Sequence, residues 1–205
     1  MKILISAGPT REYIDPIRFI SNRSTGRMGY LVADYARKAG HEVILVSGPV
    51  SIPAPGGVRL VRVETAEEMK KAILLNFPSS DVLVMSAAVG DWKPASPERE
   101  KVKRKAEWLL KLVPNPDILK EVAGLKKNGQ RVIGFALETE ELIRNASKKL
   151  LEKNLDLIIA DTPAFFGEGG RSRVAFLYRD GRKEEFECME RENVACRIIE
   201  IIGGD

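Results

Sequence analysis

Two rhythms alternate along this chain. Short apolar runs bounded by turn residues predict buried strands at 2–6, 43–46, 58–63, 81–85, 131–136 and 155–160. Between them apolar residues recur at helical spacing. From Gly26 to Ala39 the sequence Met28, Leu31, Val32, Tyr35, Ala36, Ala39 draws one helix face, and Gly40 supplies a stop. Thr65 caps a helix running through Leu75, with Glu68 in the capping-box position. Asn115-Pro116-Asp117 opens a helix to about residue 127, with Pro116 suited to its first turn. Residues 140–153 and 190–202 read as further helices. Residues 174–178 and 183–188 flank Arg179-Asp180-Gly181-Arg182, a hairpin signal. The pattern predicts one α/β domain over residues 1–205. It is a doubly wound, Rossmann-like, mostly parallel sheet with helices on both faces and a C-terminal β-hairpin extension.

Composition narrows what such a domain does. Charged residues make up 30% and the net charge is only +4, with acids and bases interspersed. A nucleic-acid partner would want a broad basic face with interleaved aromatics, so none is expected. No apolar run is long enough to span a bilayer, and the first residues do not read as a signal peptide, so a cytoplasmic protein is expected. The chain has one histidine, His41, and two cysteines, Cys188 and Cys196. A thiolate zinc site needs more ligands. The cysteines are read as buried reduced thiols and His41 as a strand-entry residue.

Candidate chemistry gathers in four loops. The segment Ser21-Asn22-Arg23-Ser24-Thr25-Gly26-Arg27-Met28-Gly29 lies at a strand-to-helix junction, where free N–H groups favour a phosphate or carboxylate. Gly26 and Gly29 would let such a ligand approach the backbone. The loop is not Gly-x-Gly-x-x-Gly, which argues against a hydride-transfer enzyme. Gly8-Pro9-Thr10, Ser86 to Asp91 and Phe135 to Thr139 follow buried strands and should share its sheet edge. Asp91 could accept a ligand hydroxyl or bind magnesium. Residues 92–107 carry Pro94, Pro97 and a charge run, and read as a flap or as a solvated loop. Lys101, Lys103 and Arg104 could clamp phosphates on closure. Lys149 and Lys153 stand four apart on one helix face and could meet an acidic ligand together.

These residues resemble a known family. Ile5 to Glu12, Asp15-Pro16, Ser21 to Gly26, Ser86 to Asp91, Lys101-Val102-Lys103-Arg104, Pro114 to Ile118, Gly134 to Thr139 and Lys153 to Asp156 are similar, in order and spacing, to phosphopantothenate–cysteine ligases. The resemblance spans nearly the whole chain. It implies attack of a 4′-phosphopantothenate carboxylate on the α-phosphate of CTP (ATP in eukaryotic relatives), with Mg²⁺ assisting. The amine of L-cysteine then captures the acyl-nucleotide. It also implies a homodimer, with the 21–29 loop serving the neighbour's site. Asn22 and Lys101 match catalytic positions. Asn22, Arg23, Ala87, Ala88 and Asp91 match substrate-binding ones. The implied nucleotide site comprises Gly8, Ser24, Gly26, Gly29, Met85, Ser86, Ala87, Asp91, Lys101, Pro116, Asp117, Ile118, Leu119, Phe135, Lys149 and Lys153. It names no magnesium ligands. Thr25, Arg27, Gly90 and Arg104 depart conservatively from the family pattern, and beyond Asp161 nothing is carried over. A non-catalytic nucleotide-binding module on the same fold is the alternative.

Overall fold

The computed structural model describes residues 1–104, 106–163 and 171–204, so Lys105 of the basic run lies outside the described residues. The chain enters as β1 (Lys2–Ala7), β2 (Arg11–Tyr13) and β3 (Phe19–Ser21), followed by α1 (Arg27–Lys38) and β4 (Glu42–Ser47). Next come β5 (Arg59–Arg62), α2 (Ala66–Asn76), β6 (Val82–Met85), β7 (Trp92–Pro94), β8 (Leu112–Pro114) and α3 (Ile118–Leu125). The last third comprises β9 (Arg131–Leu137), α4 (Leu142–Glu152), β10 (Leu157–Asp161), β11 (Arg171–Tyr178), β12 (Lys183–Glu190) and α5 (Arg191–Gly203).

Eight strands form the main sheet in the order β12-β11-β10-β9-β6-β1-β4-β5. The six strands from β10 to β5 are parallel, and β11 and β12 continue the sheet antiparallel. The expected hairpin extension is therefore an edge of the same sheet. Parallel strands covered on both faces need apolar side chains in both directions. Ile3 and Ile5 of β1 pack in the layer that contains residues of α1 and α5. Leu4 packs in the opposite layer with residues of α2, α3 and α4. Fully buried side chains such as Phe77 and Phe176 each contribute roughly 1.5–3 kcal/mol relative to exposure. The chain reverses winding between β1 and β6, where open α/β sheets place a ligand crevice.

Several elements differ from expectation. The connection between the strand predicted at 2–6 and the helix predicted from Gly26 contains the β2–β3 hairpin, and residues 92–94 and 112–114 form a second small ladder. Three-residue strands are too short to show a period. Pro116 precedes the helix instead of occupying its first turn. Asp117 is the N-cap, accepting the Lys120 N–H at 3.1 Å. Thr65 caps α2 as expected, accepting the Glu68 N–H at 3.2 Å, but the Glu68 carboxylate returns to Glu64 N–H at 2.7 Å, one residue early. The thiols are corrected too: Cys188 is exposed on β12 and Cys196 half-buried on α5, both reduced, because each sits where its element faces partly outward. His41 is the half-buried residue between α1 and β4, and burial lowers its pKa. No described helix is long and apolar enough to cross a membrane.

Candidate active site

The loops leaving β1 and β6 are tied to each other at the switch point. Ala88 N–H donates to Gly8 O at 2.9 Å, and Thr10 N–H to Ala88 O at 3.3 Å. The Ser86 hydroxyl donates to Ser6 O at 2.8 Å, and the Thr10 hydroxyl accepts the Gly90 N–H at 2.9 Å. These bonds leave the 86–91 loop as a fixed shelf. Above it lies a cleft of about 1290 Å³ between the start of α1 on one side and α3, β9 and α4 on the other.

Small residues build the first wall. Gly26 is the N-cap of α1 in the left-handed region, with φ 77°, and no side chain caps the helix. A Cβ on Gly26 would lie 2.7 Å from Val50 Cγ1, and one on Gly29 would lie 2.6 Å from Ala7 Cβ and 2.7 Å from Ser86 Oγ. The first turn therefore sits hard against the sheet edge and lines the cleft. Its Arg27 N–H donates to Thr25 Oγ1 at 3.4 Å, and a helix start of this kind favours an anion. Asn22 fastens this wall to the shelf: Nδ2 donates to Ala88 O at 3.1 Å and to Val89 O at 3.2 Å.

Charged side chains build the second wall. Lys149 of α4 donates to Phe135 O at 2.7 Å. Burial pushes its ammonium pKa down, while Glu138, Asp91 and Asp117 oppose the shift. Lys153 pairs with the Asp117 carboxylate. For Asp117, burial acts upward, but Lys153 and the Lys120 N–H outweigh it and lower its pKa. Asn115 donates Nδ2 to Gly90 O at 2.9 Å, joining the mouth of α3 to the shelf. Asp161 ends β10 inside the cleft, only 9% exposed. Burial pushes its carboxyl up to about 7, against the pull of Arg191.

The family model for the DNA/pantothenate metabolism flavoprotein C-terminal domain matches residues 1–204. The chain belongs to this family. The Bacillus subtilis (strain 168) coenzyme A biosynthesis bifunctional protein CoaBC is 41% identical over 205 residues, covering 98% of this chain and 50% of the relative. The chain thus spans about half the length of that curated relative. The solved C-terminal domain of a CoaBC protein is 37% identical with a TM-score of 0.84, covering 98% of this chain and 93% of the other. A Cab2 mutant in complex with phosphopantothenate-cysteine shares the fold at 18% identity and a TM-score of 0.72, covering 98% and 85%.

Within this flavoprotein C-terminal domain most of the sequence-predicted positions converge. Asn22, Arg23, Ser24, Gly26, Gly29, Met85, Ser86, Ala87, Ala88 and Asp91 line the cleft, as do Pro116, Asp117, Ile118, Leu119, Phe135, Lys149 and Lys153. Two do not. Gly8 lies behind the wall with φ 75°, and a Cβ there would meet Val50 Cγ1 at 2.8 Å. Lys101 lies outside the large cleft, beside Ile17, Arg18 and Trp108. Gly29 is also explained differently than expected, since it is buried and its missing side chain admits the sheet edge. The sequence reading missed Asp161 and Arg191. A charged residue closing a fully apolar strand marks Asp161; nothing local marks Arg191.

Among the described residues no group of three acidic, histidine or cysteine side chains is poised for a metal. Magnesium does not need one, since it is commonly held by one or two carboxylates plus substrate phosphates. Asp91, exposed in the cleft, fits that role.

Proposed function

We propose that the chain joins 4′-phosphopantothenate to L-cysteine through an acyl-cytidylate, with CTP as the nucleotide. The single observation that carries this reading is the cleft itself, with an uncapped helix start and two lysines facing one polar shelf. In the first step the pantothenate carboxylate attacks the α-phosphorus of CTP, and pyrophosphate leaves. In the second the cysteine amine attacks the acyl carbon, CMP leaves, and the amine proton is released. Neither step requires a protein nucleophile. Placement and charge neutralisation suffice. Lys149 and Lys153 bind the phosphates, and the α1 N–H groups hold an anionic end of the substrate. Asn22, already fastened to the shelf through Nδ2, presents its remaining oxygen to the substrate. Asp91 would hold Mg²⁺, which neutralises triphosphate charge when bound.

The ligase reading includes a homodimer. Support comes from apolar side chains left exposed on and around the two small hairpins: Phe19 at 42%, Trp92 at 53% and Leu109 at 85%. A second copy of the chain could cover these side chains if they form one surface. Light scattering at micromolar concentration should return twice the chain mass.

Pyrophosphate release measured with phosphopantothenate, cysteine and each of CTP, ATP, UTP and GTP tests the activity. CTP should give the fastest release, and release should require phosphopantothenate. Binding of nucleotide without any release would instead establish the non-catalytic alternative. Asn22→Asp should retain nucleotide binding but reduce turnover by about a hundredfold, because a carboxylate would face the Ala88 and Val89 carbonyls.

A further inference from the structure

The basic segment that contains Lys101 is tied to the tip of the β2–β3 hairpin by one buried carboxylate. Asp15 Oδ1 accepts the backbone N–H groups of Ile17 at 2.9 Å and Arg18 at 2.8 Å, closing the hairpin turn. Its other oxygen accepts Arg18 Nε at 3.0 Å and, across the gap, the backbone N–H of Val102 at 3.2 Å. Arg18 completes the circuit by donating to Val102 O at 2.6 Å. The guanidinium also lies 4.9 Å from the centre of the Trp108 ring. A further backbone bond, Glu98 N–H to Ile14 O at 2.8 Å, holds the start of the same segment. The Asp15 side chain is fully buried.

The charge arrangement gives this clamp its consequence. Lys101, Lys103 and Arg104 gather beside Arg18 around a cavity of about 710 Å³. Four cations thus line one cavity, and Asp15 is the carboxylate bonded both to Arg18 and to the backbone between two of the others. Burial acts to raise the Asp15 pKa. The N–H groups of Ile17, Arg18 and Val102 and the guanidinium outweigh it, bringing the group down to about 2. The clamp therefore stays charged at every pH at which the protein would work.

We propose that Asp15, acting through Arg18 and Val102, is a positioning residue that fixes where the 98–104 segment presents Lys101. The catalytic consequence rests on the ligase reading; the clamp does not. Asp15 itself touches no substrate. Its removal leaves the Arg18–Val102 O bond without the carboxylate that orients the guanidinium and without the bond to the Val102 N–H.

The test uses the full chain with Asp15→Asn and, separately, Val102→Pro. Asparagine can still accept the Ile17 and Arg18 N–H groups, so the turn survives, but its amide opposes Arg18 and the Val102 N–H. Proline removes the donor on the flap side and leaves the hairpin residues unchanged; it also restricts the Lys101 backbone, so turnover is read on Asp15→Asn. Limited trypsin digestion, read by fragment mass, reports cuts after Lys103 and Arg104, since the bond from Lys101 to the introduced proline of the second variant resists trypsin. Both variants should be cut there about tenfold faster than the parent chain, with an unchanged thermal midpoint for the sheet. Turnover should fall about tenfold while KM for the triphosphate stays within about twofold. Parental cutting rates in both variants would overturn the clamp. Faster cutting with parental kcat would overturn the positioning role. A parent chain without ligase turnover would sink the ligase reading, and the cutting rates would still decide the clamp.

Discussion

The two walls of the cleft are made of opposite materials. The α1 wall is glycine, backbone and short hydroxyls, packed so tightly that an added methyl collides with the sheet edge. The α3–α4 wall is lysine and aspartate, with the charges brought partly out of water. On the proposed ligase reading, the first wall would hold a ligand by shape and by backbone groups fixed against the sheet edge. The second would hold it by charge that is costly to bury unpaired and gains when an anion arrives. The proposed reaction, in which a carboxylate meets a triphosphate in line, would use both kinds of wall.

The heaviest blow to the first wall is Gly29→Ala. The new Cβ would meet Ala7 Cβ, Ser86 Oγ and Ser6 O at 2.6, 2.7 and 2.9 Å. Two of these neighbours belong to a buried strand that cannot retreat. A loss of about 3 kcal/mol is expected, read as a fall of on the order of 10 °C in the melting midpoint. An unchanged midpoint would mean that α1 is free to slide, and the wall is not rigid.

The second wall should respond through binding instead of folding. Lys149→Met keeps the stem and removes the ammonium. Triphosphate affinity should fall at least about tenfold, roughly 1.4–3 kcal/mol, with little loss of stability. Lys101→Gln is the matched control, because Lys101 sits outside the cleft. Its binding constant should stay within about twofold while turnover slows. Calorimetric titration with CTP or ATP measures both. Equal loss in the two variants would place Lys101 and Lys149 on the same ligand before catalysis, which the separation of their surroundings argues against.

The contrast between the walls also explains what the sequence revealed. The α1 wall was legible because its signals are local: Gly26 and Gly29 sit beside hydroxyl residues, and Gly40 stops the helix they start. The shelf was legible because Ser86 to Gly90 directly follows a buried strand. Asp161 carries a local mark, a charge closing an apolar strand, but its perturbation arises from burial and from Arg191, 30 positions on in sequence. Residues 92–107 read as a flap or a solvated loop for the same reason. Their anchor is Asp15, 87 positions away from Val102, and no pattern within the segment shows the bond. Arg18 and Trp108 likewise meet across 90 positions of sequence.

Asp161 gives a pH test of the charged wall. Its native pKa of about 7 lies above the ordinary 3.8, so the folded protein keeps a proton that the unfolded chain releases. Stability from this group is fullest below about pH 4 and declines as pH rises toward about 7. Asp161→Asn should remove that decline and stabilise the protein at pH 8 by roughly 1–2 kcal/mol, since the cleft admits some water. Chemical denaturation at pH 5 and pH 8 measures the slope. An identical slope in parent and variant would mean that Asp161 is already ionised, with Arg191 dominating its surroundings.

The smallest effect probes whether the charged wall is preformed. Gly124 lies in α3, exposed, and nothing lies within 4 Å of a Cβ built there. Alanine removes backbone freedom from the unfolded chain without a collision, and should stabilise by about 0.5–1 kcal/mol. That is a rise of a few degrees at most in the melting midpoint. The same helix carries Asp117 at its N-cap, and Asp117 holds Lys153. If α3 is already ordered before ligand arrives, stiffening it cannot improve the placement of Lys153, and triphosphate affinity should stay within about twofold. A clear gain in affinity would show that α3 orders on binding, and the second wall would then differ from the first in rigidity as well as in charge.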